Sequence, residues 1–251
     1  MKVVRFVVLC MSFLICWQIL VQMTGVPHYI LPAPAKVYHA LCHEWSVLFD
    51  HLVITTTEIV LGLVLGIILG CLCALTMILS PLLKKWLLPV LVMSQAIPVF
   101  ALAPILVLWL GYGMASKVAM AVLIIFFPVT SSFYHGMQRT EDDLLELSRI
   151  MGAGYLSILR FIVIPNAMPA FAGGLRVAAA VAPIGAIVGE WVGSSKGLGF
   201  YMLHANARMQ VDRMFAALFL LALASVCLYF LVDFLLLRLI YWEKPKELYH
   251  E

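Results

Sequence analysis

An all-α membrane protein with about six transmembrane helices is the fold class this sequence predicts, and three observations carry it. The first is composition. Of 251 residues, 64% are hydrophobic and 12% charged, against about 45–50% and roughly 25% in a soluble domain. The second is run length, since a helix needs about 20 mainly apolar residues to cross the hydrocarbon core. Six stretches qualify: Val4–Met23, Ile54–Leu79, Leu87–Leu110, Ser116–Tyr134, Pro169–Val192 and Met214–Ile240. The third is the bias of Lys and Arg, which resist translocation. One set of loops holds Lys2, Arg5, Lys84, Lys85, Arg139, Arg149, Arg160, Arg238, Lys244 and Lys246. The other holds Lys36, Lys117, Lys196, Arg208 and Arg213. Ten against five, leaving aside Arg176 inside a span, places both termini in the cytoplasm. The chain reads as one transmembrane domain, residues 1–251, with a net charge of +3 that points to no nucleic-acid partner.

The first span has a competing reading as a secretory signal, with Lys2 and Arg5 as its basic region and Ala33-Pro34-Ala35 as a cleavage site. Its apolar run exceeds the usual ~7–15 residues, so the retained helix is expected. Residues 25–50 then form a periplasmic segment. Pro32 and Pro34 force an extended start, and Val37, Leu41, Trp45 and Leu48 recur at helical spacing, as on a helix lying along the membrane surface. His28, His39, His43 and His51 match no defined metal-ligand spacing and read as a wet polar face. Cys10, Cys16, Cys42, Cys71, Cys73 and Cys227 lie mostly in apolar runs, and no disulfide, metal site or cofactor is expected.

The second span carries Gly62, Gly66 and Gly70, and the fifth Gly185, Gly189 and Gly193. Such rows let helix backbones approach closely, either within one subunit or between two copies. In the third span the most polar stretch, Ser94 and Gln95, lies just ahead of Pro98 and Pro104. Freed backbone groups survive in a membrane only beside protein or a water-lined cavity, so this region faces a pathway or is a packed kink. Charges inside spans usually face the bundle interior. Glu58 and Glu190 are therefore either interfacial acids, in water or beside a base, or pathway-lining residues. Arg176, Asp233 and Arg238 lie close enough to span ends to reach the interface.

Residues 138–166 form the loop between spans four and five. Thr140 reads as a helix cap, with Asp143 at the reciprocal capping-box position and acids at the positive end of the helix dipole. Leu144, Leu147, Ile150 and Met151 share a stripe until Gly152-Ala153-Gly154 breaks the helix. A second stripe, Tyr155, Ile158, Leu159 and Ile162, is expected to end at Pro165.

The series Glu146-Leu147-Ser148, then Gly152, then Ile162-Val163-Ile164-Pro165 resembles the cytoplasmic "EAA" loop of bacterial ABC-importer permeases. Leu147 and Ser148 stand for the usual alanines and Ile164 for the usual leucine. The likeness continues in Leu31-Pro32-Ala33-Pro34, in Gln95-Ala96-Ile97-Pro98 with Leu108-Trp109-Leu110-Gly111-Tyr112-Gly113, and in Gly189-Glu190-Trp191-Val192-Gly193 with Gly197-Leu198-Gly199. It spans roughly residues 28–240 and is similar to the nitrate/sulfonate/taurine group. The resemblance implies a type I ABC importer permease fold in the bacterial inner membrane, working as a homodimer. ATP-binding cassette ATPases would dock on a coupling loop containing Glu146, Leu147, Ser148, Gly152, Ala153, Ile162 and Pro165. A periplasmic substrate-binding protein would deliver cargo, and Ser94, Gln95, Pro98, Glu58 and Glu190 are candidates for the pathway wall. Many relatives have a basic residue at the position of Glu58. His204-Ala205-Asn206-Ala207-Arg208-Met209-Gln210 looks most like permeases for hydroxymethylpyrimidine, a thiamine precursor, with sulfonates, taurine or nitrate behind.

No catalytic residue is expected. The chain has no GxxxxGK[ST] phosphate loop and no HExxH, so ATP hydrolysis falls to a partner. A secondary transporter would need no such partner and would typically show an internal repeat, which is not evident between the two halves.

Overall fold

The computed structural model describes residues 2–242, with side chains before Leu14 described only in part; Lys244 and Lys246 of the charge count lie outside the described residues. The helices are α1 (Lys2–Thr24), α2 (Pro34–His43), α3 (Trp45–Leu79), α4 (Pro81–Ala96), α5 (Val99–Leu110), α6 (Met114–Gln138), α7 (Asp142–Ile150), α8 (Tyr155–Ile158), α9 (Ile164–Gly193), α10 (Leu198–Ala207) and α11 (Val211–Leu239). A π turn, Leu159–Val163, joins α8 to α9. The all-α expectation holds across the described residues. Four runs are long and apolar enough to cross a membrane: α3, α6, Tyr155–Gly193 and α11. The α4–α5 pair makes a fifth, and the 23 residues of α1 give about 35 Å, also enough to cross.

At the centre α6 lies between α3 and α9, and the two glycine rows explain why. Lipid gives helices no hydrophobic drive to associate, so close backbone approach through small residues must supply it. Gly62, Gly66 and Gly70 face Ala121, Ile125 and Val129 of α6. Gly185 and Gly189 face Ala121 and Lys117 from the other side, and Gly193 faces Val107 of α5. Ala121 is thus gripped twice: a Cβ on Gly185 would sit 2.5 Å from its Cα. Lower down, Gly174 meets the Pro128 carbonyl and Gly136 meets that of Ala167. Both rows are therefore contacts within one subunit.

Four local expectations are corrected. The third span is broken, not merely kinked: α4 and α5 meet at 104°. Pro98 has no N–H and holds Ile97 extended, at ψ 121°, which ends α4. Pro165 does not end its helix, because the π turn before it widens the coil. Ile164 donates five residues back to the Leu159 carbonyl, which makes room for a ring that would otherwise strike a carbonyl four residues earlier. Thr140 caps nothing. Its hydroxyl donates to the Met137 carbonyl at 3.0 Å, closing α6, while Glu141 stands at the N-cap of α7 without a side-chain bond. Finally, the stripe Val37, Leu41, Trp45 and Leu48 is not one helix: α2 ends at His43 and α3 begins at Trp45. Val37, Ala40 and Leu48 are buried with Leu198, Ala216, Ala217 and Leu220, while Trp45 stays half exposed.

Candidate functional site

Two sites stand out, one at each end of the bundle. At the first, α7 projects from the turn after α6. Asp142 and Asp143 occupy its first turn and Arg149 its last, the order that suits the helix dipole. It stops on a Schellman turn, with Gly152 at φ +79°. The Gly152 N–H donates to Arg149 O at 2.9 Å and the Ala153 N–H to Ser148 O at 3.0 Å, the two closing bonds of that motif. Ser148 is buried and half-buried Ala153 packs on the core, so this face of α7 rests on the bundle. Ile158 and Val163 are buried, with Leu159 and Ile162 half-buried, which anchors the second stripe beside Met77, Phe133 and Tyr134. The Tyr155 hydroxyl reaches across to Ile78 O at 3.2 Å.

The outer stripe of α7 has nothing on it. Leu147 is 55% exposed, Ile150 83% and Met151 78%, with Leu144 and Glu146 also exposed. Four apolar side chains on so short a helix form a ridge that water covers at a cost of about 25 cal/mol per Å². The structure thus brings Glu146, Leu147, Ser148, Gly152 and Ala153 into one protruding element. Ile162 and Pro165 lie in the stem that carries it.

At the opposite end, α10 begins with four N–H groups that a helix cannot satisfy internally, and other helices satisfy all of them. The Gly197 N–H donates to His51 Nδ1 at 2.9 Å and the Leu198 N–H to Thr55 Oγ1 at 2.7 Å. Gly199 and Phe200 donate to Glu190 Oε2. Thr55 Oγ1 donates in turn to Glu190 Oε1 at 2.6 Å. The carboxylate of α9 thereby caps α10 from outside and meets the positive end of its dipole. A Cβ on Gly197, at φ +109°, would run into the Glu190 carboxyl.

Glu58 sits beside this clamp, 1% exposed, with Lys117 Nζ 4.0 Å from its Oε1. Lys117, 4% exposed, donates to the carbonyls of Tyr112 and Gly113 at 3.1 Å each and so pins the α5–α6 turn. The "beside a base" reading of the glutamates therefore applies to Glu58, while Glu190 acts as a cap. Farther along α10, Tyr201 donates to Glu44, which also pairs with Arg213 at 2.6 Å. Burial first, and then the bond to Glu44, hold the Tyr201 phenol well above its usual pKa.

The five pathway candidates separate into two groups. Glu58 and Glu190 are buried in the subunit. Ser94, Gln95 and Pro98 lie at the α4–α5 break, where Gln95 and Pro98 are exposed and Ser94 Oγ donates to Leu91 O at 2.7 Å. The roles of His51, Thr55, Lys117 and Tyr201 in this clamp were not read from the sequence. One signal was present: His51, Thr55 and Glu58 stand at i, i+4 and i+7, a polar stripe on an otherwise very apolar helix. Among the described residues no group of three or more His, Cys, Asp or Glu is placed to hold a metal.

Comparisons with known proteins agree on one family. Residues 62–241 match the family model for binding-protein-dependent transport system inner membrane components. A probable ABC transporter permease of Haemophilus influenzae is 51% identical over 91% of this chain and 93% of its own length. The formylaminopyrimidine transport permease ThiX of Halalkalibacterium halodurans is 38% identical over 94% of each chain. The riboflavin transport system permease RibX of Chloroflexus aurantiacus is also 38% identical, over 93% of this chain and 88% of its own. Among solved structures, an amino acid ABC transporter superposes with a TM-score of 0.64 at 16% identity, over 81% of this chain and 97% of the other; the fold is shared.

Proposed function

This chain belongs to the family of binding-protein-dependent transport system inner membrane components, a multi-pass ABC-importer permease, and from that premise we propose how its parts divide the work. Two copies enclose the pathway, with both termini in the cytoplasm. The α7 ridge docks on a separate ATP-binding cassette ATPase, which carries out the hydrolysis. A substrate-binding protein delivers cargo at the α10 end. The bend at Ser94, Gln95 and Pro98 faces the pathway between the copies, where water satisfies the backbone groups freed by the break. Glu58 and Glu190 hold the outer end of each subunit together.

One observation carries this reading: the bare ridge of Leu144, Leu147, Ile150 and Met151 on a helix that meets the bundle through Ser148 and Leu145. Helix-in-groove recognition uses apolar anchors at this spacing. Ile150→Asp is expected to abolish co-purification of the partner ATPase, while the chain still inserts and unfolds at the native temperature. Undiminished co-purification would sink the docking assignment.

For cargo, we favour the hydroxymethylpyrimidine class, supported by the ThiX relative and by His204–Gln210. A flavin is the second reading, favoured by RibX at equal identity. Sulfonates rank behind, since the sulfonate permease relatives are 27% identical. Uptake of labelled hydroxymethylpyrimidine and of riboflavin, in cells with and without the gene, separates the two. Uptake of neither removes both.

A further inference from the structure

The ion pair between Arg176 and Asp233 lies inside two membrane-crossing helices. Arg176 Nε donates to Asp233 Oδ1 at 2.7 Å, and the two side chains are 33% and 30% exposed. From sequence, each looked able to reach the interface alone. The structure joins them across α9 and α11.

What that bond does follows from how differently α9 holds its two neighbours. Against α6 it presents Gly174, Gly185 and Gly189, each close enough that an added Cβ would clash. Backbone meets backbone there, and the register is fixed by shape. Against α11 it presents ordinary side chains. Leu175, Ala179 and Ala182 share one cluster with Leu221, Leu228, Val232 and Leu236. Among the described residues α11 carries no glycine, and only 22% of its most apolar window is buried. Apolar contacts of that kind tolerate sliding, because lipid replaces what a partner loses. A directional charge pair does not, since separating the charges in low dielectric is costly.

The clamp supplies a second attachment. Glu190 lies 14 residues beyond Arg176 on the same helix, about 21 Å along its axis. Glu190 holds α10, which leads through a short turn into α11. The α10–α11 hairpin is thus fastened to α9 at two points about 21 Å apart. At its other end α9 continues through the π turn and α8, without a break, to the Gly152 turn beneath α7.

We propose that Arg176 and Asp233 are positioning residues for transport: they make α11 travel with α9 as one body when the docking loop is displaced. This rests on α7 being the docking element. Losing the pair leaves α11 held at one end only, so a movement of α9 is partly lost as slippage between the helices.

The test uses the complete transporter, reconstituted with its ATPase and binding protein, on a cysteine-free background with spin labels at exposed positions 184 and 230. Distances are compared without nucleotide and after trapping with ATP and vanadate. In the native chain the α9–α11 distance is expected to be the same in both states. Arg176→Gln or Asp233→Asn should broaden or shift it on trapping. Each should also lower binding-protein-stimulated hydrolysis by roughly tenfold or more, within the range of inter-site coupling energies, with basal hydrolysis unchanged. The reversed pair, Arg176→Asp with Asp233→Arg, should restore both; if it does not fold, Arg176→Lys with Asp233→Glu takes its place. A native distance that changes on trapping, or single variants that couple normally, would overturn the proposal while docking stands. Failure of the native chain to retain the ATPase would overturn the docking reading, and this proposal with it.

Discussion

Replacing Gly152 tests the proposed docking role of α7 where its geometry is most exposed to a single side chain. The residue sits at φ +79°, in the left-handed region that costs an ordinary L-residue about 1–2 kcal/mol. Space is not the constraint, because a Cβ there would meet nothing within 4 Å. The penalty is therefore purely one of backbone conformation, and it should rank substitutions by their tolerance of positive φ. Asn, which enters that region most readily, should cost least. Ala should cost about 1 kcal/mol, and Val, β-branched and stiff, about 2 kcal/mol or more. The energy falls on the two bonds that close α7, Gly152 N–H to Arg149 O and Ala153 N–H to Ser148 O. If the turn opens, Leu147 and Ile150 no longer point along one line. A 1–2 kcal/mol loss is roughly a 5–30-fold change in population. Apparent affinity for the ATPase, measured by titrating it onto reconstituted permease, should weaken about fivefold for Ala and nearer thirtyfold for Val, with Asn close to native. Gly152→Asp separates charge from conformation, since Asp tolerates the backbone nearly as well as Asn. Equal damage from Asn and Val would refute the argument.

The remaining expectations concern packing, capping and ionisation. Gly185→Ala puts a methyl into the Ala121 backbone and should cost about 1–3 kcal/mol, seen as a lower unfolding temperature in detergent, whereas Gly173→Ala, in open space, should leave it unchanged. Glu190→Ala strips the acceptor from Gly199, Phe200 and Thr55, at about 1–3 kcal/mol for each buried donor left unpaired; amide exchange at residues 197–200 should accelerate while the middle of α9 stays protected. Tyr201 keeps its proton longer when folded, so folding stability is expected to fall as pH rises past the ordinary tyrosine value near 10. Tyr201→Phe should remove that part of the alkaline sensitivity in a pH series of unfolding temperatures. Pro165→Ala restores an N–H donor, so the π turn loses its cause and should tighten to α-helix. The Tyr155–Ile78 contact would then be lost, visible as weaker cross-linking between cysteines placed at 78 and 155.

Long apolar runs and four-residue glycine rows were legible because the membrane enforces them locally: twenty residues per crossing, and small residues wherever backbones must touch. The α7 helix and its glycine stop were legible for the same kind of reason, since a left-handed glycine and an apolar stripe are both short-range requirements. What escaped depended on distant partners. Glu44, Tyr201 and Arg213 meet across more than 150 residues of chain, and no local pattern announces them. Lys117 looked like a loop residue because its hydropathy was weighed without the two carbonyls and the carboxylate that receive it. His51 was read as part of a wet polar face because α3 begins at Trp45, nine residues before the apolar run that marked it from sequence; Thr55 lies inside that run, and nothing local marked its partners. Proline was misjudged in both directions: Pro98 breaks a span expected only to kink, and Pro165 continues a helix it was expected to end. In each case the outcome was set by the backbone around the ring, which Ile97 resolves by extension and the π turn by widening.

Glycine is used in this chain for two physically different ends, and the difference bears on how force could cross the membrane. At Gly62, Gly66, Gly70, Gly185 and Gly189 the missing Cβ permits contact, and adding one would push helices apart. At Gly152 the missing Cβ permits only a conformation, with open space around it. The first kind makes α3, α6 and α9 a close-packed unit that resists shear, because each grip is backbone against backbone or β-carbon. The second kind makes a sharp but sterically free turn at the one place where an external partner would push. A lever needs both properties, a stiff arm and a defined pivot. Tyr155–Gly193 is the stiff arm, a continuous run of 39 residues gripped by glycine along α6. The Gly152 turn is the pivot, and substitutions at the two kinds of glycine should therefore fail differently: at the grips the folded bundle is lost, at the pivot the bundle survives and only its response to the ATPase is lost.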